Sequence, residues 1–257
     1  MADRPGRVRA RWCRRGSTAA MLFSAHVANT SPLAAFRRRT PQPAEAPGLR
    51  SARTATCAPF TRGVMPRPQL GREALLACWE DAAALDRFLA DHPTGRVFAD
   101  GWHVRMELIR AAGVWPGLAD DMVHAAGAKA KTVTGPSVAI TIGTAYLKTI
   151  VPFVRVNSGL EDQFLDTPSG IWGTAMTNLR QRLVATLTVW ESPDAALDYI
   201  RTGAHGAAVA AHYDPAKDPT GHTFVTGGGF FGFRPLSVHG TVGGTNPVSA
   251  DLHAGRV

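Results

Sequence analysis

The sequence predicts an α+β fold in which two fused ferredoxin-like (split βαβ) units pair into a barrel. Three observations point there. Residues 74–117 (ALLACWEDAAALDRFLADHPTGRVFADGWHVRMELIRAAGVWPG) are echoed by LVATLTVWESPDAALDYIRTGAHGAAVAA from residue 183 and FFGFRPLSVHGTVGG from residue 230. Trp79-Glu80 answers Trp190-Glu191, and Leu85-Asp86 answers Leu197-Asp198. Within each copy, strand-like runs alternate with helical ones and end on glycine-rich turns, and such a repeat fixes architecture ahead of any motif.

Taken in order, residues 1–60 carry no sustained periodicity and read as a disordered Arg/Pro-rich tail. Residues 61–118 form a first, incomplete unit. Its strand ALLACW (74–79) leads to a helix over 82–92 capped by Asp81, with Ala84, Leu85, Phe88 and Leu89 at helical spacing. Pro93 and Gly95 interrupt that helix. Trp102, Val104, Met106 and Leu108 then alternate with His103, Arg105 and Glu107, a half-buried antiparallel strand. Residues 119–135 read as a linker.

Residues 136–244 hold a fuller unit. Val138, Ile140 and Ile142 mark a strand, 145–156 a helix with Pro152 as a kink, and 171–178 and 183–190 two further strands. Ser192 and Pro193 start a helix as cap and first-turn proline. Phe230–His239 closes the unit after Gly227–Gly229, a bulge or loop without the strand–loop–helix frame of a phosphate cradle. The order is β-α-β-β-α-β. Two such sheets stacked by their bare faces are expected to enclose a pocket for an apolar ligand. Residues 245–257 read as a second tail.

Composition narrows function. Residues 1–64 hold twelve arginines and two carboxylates, whereas the remainder holds 16 basic and 18 acidic side chains. The overall charge of +8 therefore belongs to the tail, and no specific nucleic-acid partner is expected. Cys13, Cys57 and Cys78 lack metal-site spacing, so a reducing cytoplasm is the default. The apolar run after the basic residues 11–15 is a poor export signal, broken by His26 and Asn29. No stretch reaches the length of a membrane span, which leaves peripheral membrane contact open.

Several segments together resemble the spheroidene monooxygenase-like group of the dimeric α+β barrel superfamily. They are ALLACWEDAAALDRFL, WHVRMELIRAAGVWPG, LVATLTVWESPDAALDYIRTGAHGAAV and FRPLSVHGTVGG, and the likeness covers residues 57–118 and 136–244. The resemblance implies a monooxygenase that places oxygen on an acyclic carotenoid, with haem as cofactor and dioxygen and an electron donor as partners. The rival readings are a cofactor-free monooxygenase of the antibiotic-biosynthesis type and a non-catalytic lipophile-binding barrel. The chain is read as a monomer or dimer.

A haem enzyme needs an axial ligand, usually a neutral histidine. His205 is the first candidate, as cofactor and metal ligand: it borders the apolar helix face of Leu197, Ile200, Ala204 and Ala208, among small neighbours. Aligning Phe88 with Tyr199 puts Thr94 opposite His205, so this imidazole breaks the repeat. Otherwise it is a helix-border histidine bonded to a carbonyl. Arg180 and Arg182 are candidates for the haem propionates or, alternatively, a solvated strand entrance. Trp79 and Trp190 stand either as pocket walls or as core repeated by symmetry. His212, one heptad beyond His205, is a second candidate for the pocket.

Overall fold

In the computed structural model, residues 21–63, 67–118, 133–146, 150–213 and 225–249 are described. Eight strands close into an antiparallel barrel in the order β1-β3-β2-β6-β7-β5-β8-β4. The strands are β1 (Leu22–Asn29), β2 (Leu49–Pro59), β3 (Arg72–Trp79) and β4 (Trp102–Gly113), then β5 (Ser137–Ala145), β6 (Gly170–Asn178), β7 (Leu183–Trp190) and β8 (Val225–His239). The helices are α1 (Pro32–Arg37), α2 (Ala82–Asp91), α3 (Pro93–Ala99), α4 (Ile150–Leu165), α5 (Pro193–Arg201) and α6 (Gly203–Tyr213). Each half contributes four strands in the spatial order 4-1-3-2, and the halves meet at β2–β6 and β4–β8.

Four expectations need correction. Residues 22–59, read as disordered tail, supply β1, α1 and β2, the elements that the first unit lacked. β1 is a central strand covered on both faces, so LFSAHVAN shows none of the alternation that marks a half-buried strand. The second unit's first helix runs over 150–165 rather than 145–156, which puts Pro152 in its first turn, where a missing N–H costs nothing. Residues 245–249, read as a tail, cover one mouth of the barrel: Val248 is buried, and Trp102 Nε1 donates to Asn246 Oδ1 at 3.4 Å. Most of the expected linker lies outside the described residues.

The fourth correction concerns the chamber. Alternate residues of every strand fill the barrel: Phe23, Val104, Met106, Ile140, Leu187 and Phe233 are among those with almost no exposure. Trp115, from the loop after β4, plugs the interior edge-on against Phe23 and Phe231 at 5.2 and 5.1 Å. The inside of the barrel is a packed core, in which each large apolar side chain contributes roughly 1.5–3 kcal/mol by leaving water.

Candidate functional site

Helices cover the outer faces of the two halves, and the covers differ. Leu22 pairs with Trp79 and Ser137 pairs with Trp190, which fixes the equivalence of the halves position by position. One cross-strand row of the first half then reads His103–His26–Leu75–Thr54. Its counterpart reads Phe230–Thr141–Thr186–Ala175. His26 and Leu75 are 0% exposed, sealed under α2 and α3 with Trp79, Leu85, Phe88 and Phe98. Thr141, Val184 and Thr186 are only half-buried. The second helix–sheet layer therefore carries smaller side chains, several of them less deeply buried.

His205 stands over that row. Its ring lies 4.8 Å from Tyr199 and 5.5 Å from Phe230, the residue paired with Thr141. It is 7% exposed, and burial lowers its pKa, so the imidazole is neutral near pH 7. Because a carbonyl can only accept, Nδ1–H is the donor to Ile200 O at 3.3 Å. Nε2 has no hydrogen-bond partner among the described residues. The backbone is held as well: His205 N–H donates to Gln163 Oε1 at 2.9 Å, and Gln163 Nε2 donates to Thr202 O. Tyr199 OH donates to Leu160 O at 2.7 Å, a second tie between α4 and α5.

The repeat supports the assigned register. Trp79–Phe88 and Trp190–Tyr199 have matching geometry, with centroids 4.9 and 4.8 Å apart and planes at 47° and 43°. At equivalent helix breaks, a Cβ on Gly95 would strike the Phe88 carbonyl, and one on Gly206 the Arg201 carbonyl. Thr94 and His205 immediately precede those glycines, so the substitution of one by the other is local.

The other candidates fall elsewhere. Trp79 and Trp190 are buried in the helix–sheet layers rather than inside the barrel, and their indole N–H groups donate to Ser24 Oγ and Thr188 Oγ1. They are core residues with satisfied polar tips and no pocket face in the barrel. Arg180 and Arg182 sit exposed on the β6–β7 turn, and the Arg180 guanidinium stacks 4.5 Å over Phe36 of the other half. That contact does not direct it toward His205. The side chain of His212 lies outside the described residues. Gly227–Gly229 lie within β8, where Gly228 (φ +87°) passes against the Ile142 carbonyl beside a register shift, as expected of a bulge.

Sequence reasoning missed two features. One is a row of stacked imidazoles on β1, β4 and β8: His26–His103 at 5.0 Å and His103–His239 at 4.7 Å. It is visible only once strand register is known. The other is a cleft of ≈ 550 Å³ lined by Phe60, Phe164, Ile171, Trp172 and Asp166. It adjoins the His205 layer through Phe164, which meets Trp190 at 5.0 Å and Tyr199 at 6.1 Å. A second cleft, ≈ 290 Å³, lies between the 45–47 loop and α2.

No family model matches the chain, and no curated protein matches it in sequence. Solved structures resemble it in arrangement at very low identity. A putative monooxygenase from Fusobacterium nucleatum is 8% identical over 87% of this chain and 96% of its own, with a TM-score of 0.37. An aldoxime dehydratase solved with butyraldoxime is 9% identical, over 84% of this chain and 79% of its own, with a TM-score of 0.43. A ferredoxin-fold protein from Listeria monocytogenes, related to antibiotic biosynthesis monooxygenases, is 8% identical over 84% and 96%, with a TM-score of 0.30. No helix among the described residues is long and apolar enough to cross a membrane.

Proposed function

We propose that the chain is a tandem of ferredoxin-like units whose second half binds haem and whose activity is oxygen insertion into an apolar, isoprenoid-type substrate. The observation that carries this reading is His205: a neutral imidazole with one nitrogen given to a backbone carbonyl and the other without a partner among the described residues, above a sheet row in which Thr141, Thr186 and Ala175 replace bulkier side chains. Metal-binding histidines are typically oriented in this way, the second nitrogen donating to a carbonyl that fixes tautomer and ring plane.

The residues fit the group. His205 Nε2 would hold the iron, and Ile200 O, Tyr199 and Phe230 fix the ring against rotation. Thr141, Val184 and Thr186 leave the sheet face low enough for a flat macrocycle. Haem, when bound, supplies the iron that reduces dioxygen with electrons from a separate donor. Burial lowers the imidazole's pKa and so favours the neutral form, which is able to bind metal. The aromatic cleft of Phe60, Phe164 and Trp172 opens beside this layer and suits an apolar chain. The carotenoid expectation narrows here to substrates of that physical type.

Full-length protein mixed with haem should develop a Soret band that His205→Ala abolishes. Thr186→Leu, which installs the first half's residue, should block uptake by filling the slot while leaving the fold intact. Haem binding unchanged in both variants would remove the assignment. Turnover of an apolar substrate without haem would favour the cofactor-free alternative.

A further inference from the structure

A patch where the two halves of the molecule meet, independent of the haem reading, has the composition of a membrane-docking surface. Helix α1 buries none of its residues, and its two large apolar side chains point to solvent: Leu33 is 58% exposed and Phe36 68%. The β6–β7 turn adds Leu179, 71% exposed. The two segments touch, since Arg180 stacks on Phe36 at 4.5 Å and Gln181 Nε2 donates to Thr40 Oγ1 at 2.8 Å. Isolated exposed leucines need no explanation, but apolar tips gathered where two segments meet do.

The charge on these two segments is of one sign, and the exposed Glu45 carboxylate just beyond them accepts from Gln42 N–H. Arg37, Arg39, Arg180 and Arg182 are all exposed, and none has an ion-pair partner among the described residues. Neither residues 29–42 nor residues 176–186 contain a carboxylate. Glu73, nearby on β3, is buried and held by Arg38 at 3.0 Å. Apolar side chains ringed by arginines match the interface of an anionic bilayer, where the tips enter the acyl boundary and the guanidinium groups meet phosphates.

We infer that the face formed by α1 and the β6–β7 turn docks the protein on membranes bearing anionic phospholipids. Leu33, Phe36 and Leu179 insert, and the four arginines bind headgroups. A substrate dissolved in lipid would then be within reach of a protein whose described helices do not cross the bilayer.

The test is co-flotation of the full chain with vesicles of phosphatidylcholine alone or mixed with phosphatidylglycerol. Wild-type protein should partition to the anionic vesicles and be released by salt. Arg180→Ala/Arg182→Ala should weaken partitioning by an order of magnitude or more, since each arginine near such a surface is worth about fivefold. Leu33→Ser/Phe36→Ser/Leu179→Ser should weaken it comparably, and Phe36→Leu should retain it. Every protein carries the same Arg-rich residues 1–20, so differences report the patch, and circular dichroism verifies the fold. Binding unaltered in both multiple variants would overturn the proposal. Sensitivity to the arginine changes alone would also overturn it, because simple anion adsorption does not need the apolar tips.

Discussion

The two halves of this barrel share a topology and differ in how they close their outer layer. In the first, β1 and β3 present Leu22, Ser24, His26, Leu75, Ala77 and Trp79 to α2 and α3, and all are buried. In the second, the same positions carry Ser137, Ala139, Thr141, Thr186, Thr188 and Trp190, several of them half-buried. The tryptophan and its aromatic partner are kept, while the volume beside them is lost. A half that retains its anchor and gives up its filling has exchanged large side chains for small, less buried ones. The histidine that breaks the repeat stands beside them.

This contrast is most sharply tested at its anchors. Trp79→Ala removes a fully buried indole from a closed layer and should cost about 3–5 kcal/mol, the usual range for a large aromatic truncated in a core. It also removes one of two hydrogen bonds at Ser24 Oγ, which accepts from the indole at 2.9 Å and keeps its bond with His26 Nε2. Trp190→Ala, whose indole stacks on the equivalent aromatic ring, Tyr199, in a layer with more half-buried side chains, should cost roughly 1 kcal/mol less, because the site can relax. Chemical denaturation of the two variants measures the gap. Equal losses would mean that the layers are equally packed.

How much of this was legible beforehand depends on burial. Asp81 and Ser192 bond to Ala84 N and Ala195 N, as capping residues should. Strands β3, β4, β6 and β7 lie where apolar runs and alternation placed them. Strand β1 was invisible because a central strand buried on both sides has no period, and it carries His26. Strand β2 was hidden by LRSARTATCAP, whose small and polar residues satisfy a seam between halves rather than a greasy face. His205 stood out as an asymmetry in the repeat, but its surroundings did not. Thr141 and Thr186 acquire meaning only when register sets them against His26 and Leu75.

Acid should separate the halves next. Burial is the main cause holding His26 well below its ordinary pKa, with His103 and Arg105 adding to it. His103 is lowered to about 4, again by burial first and then by His239. With native values depressed, both states are neutral above about pH 6.5 and these groups make no demand. As pH falls from there toward 4, the unfolded chain takes up protons that the native state refuses, so stability declines. His103→Phe should flatten the fall in melting temperature between pH 7 and pH 4.5. An unchanged slope would place the sensitivity elsewhere, for example at His205, which is also lowered but lies in the second half.

The smallest effect is expected at the seam where the halves join. Arg62 and Asp166 form an ion pair at 2.6 Å across it, with both side chains more than half exposed. The hydrogen bond to Arg62 holds the Asp166 carboxyl below its usual range, but water and salt screen such a pair. Asp166→Asn should therefore leave the melting temperature unmoved at moderate salt. The seam is held instead by the β2–β6 ladder and by its inward bonds, Thr174 Oγ1 to Ala58 O at 2.9 Å and Asn178 Nδ2 to Thr54 O at 2.8 Å. Asn178→Ala should cost about 1 kcal/mol, the usual net worth of one such bond. A larger loss for Asp166→Asn than for Asn178→Ala would mean that surface charge, and not the ladder, fastens one half to the other.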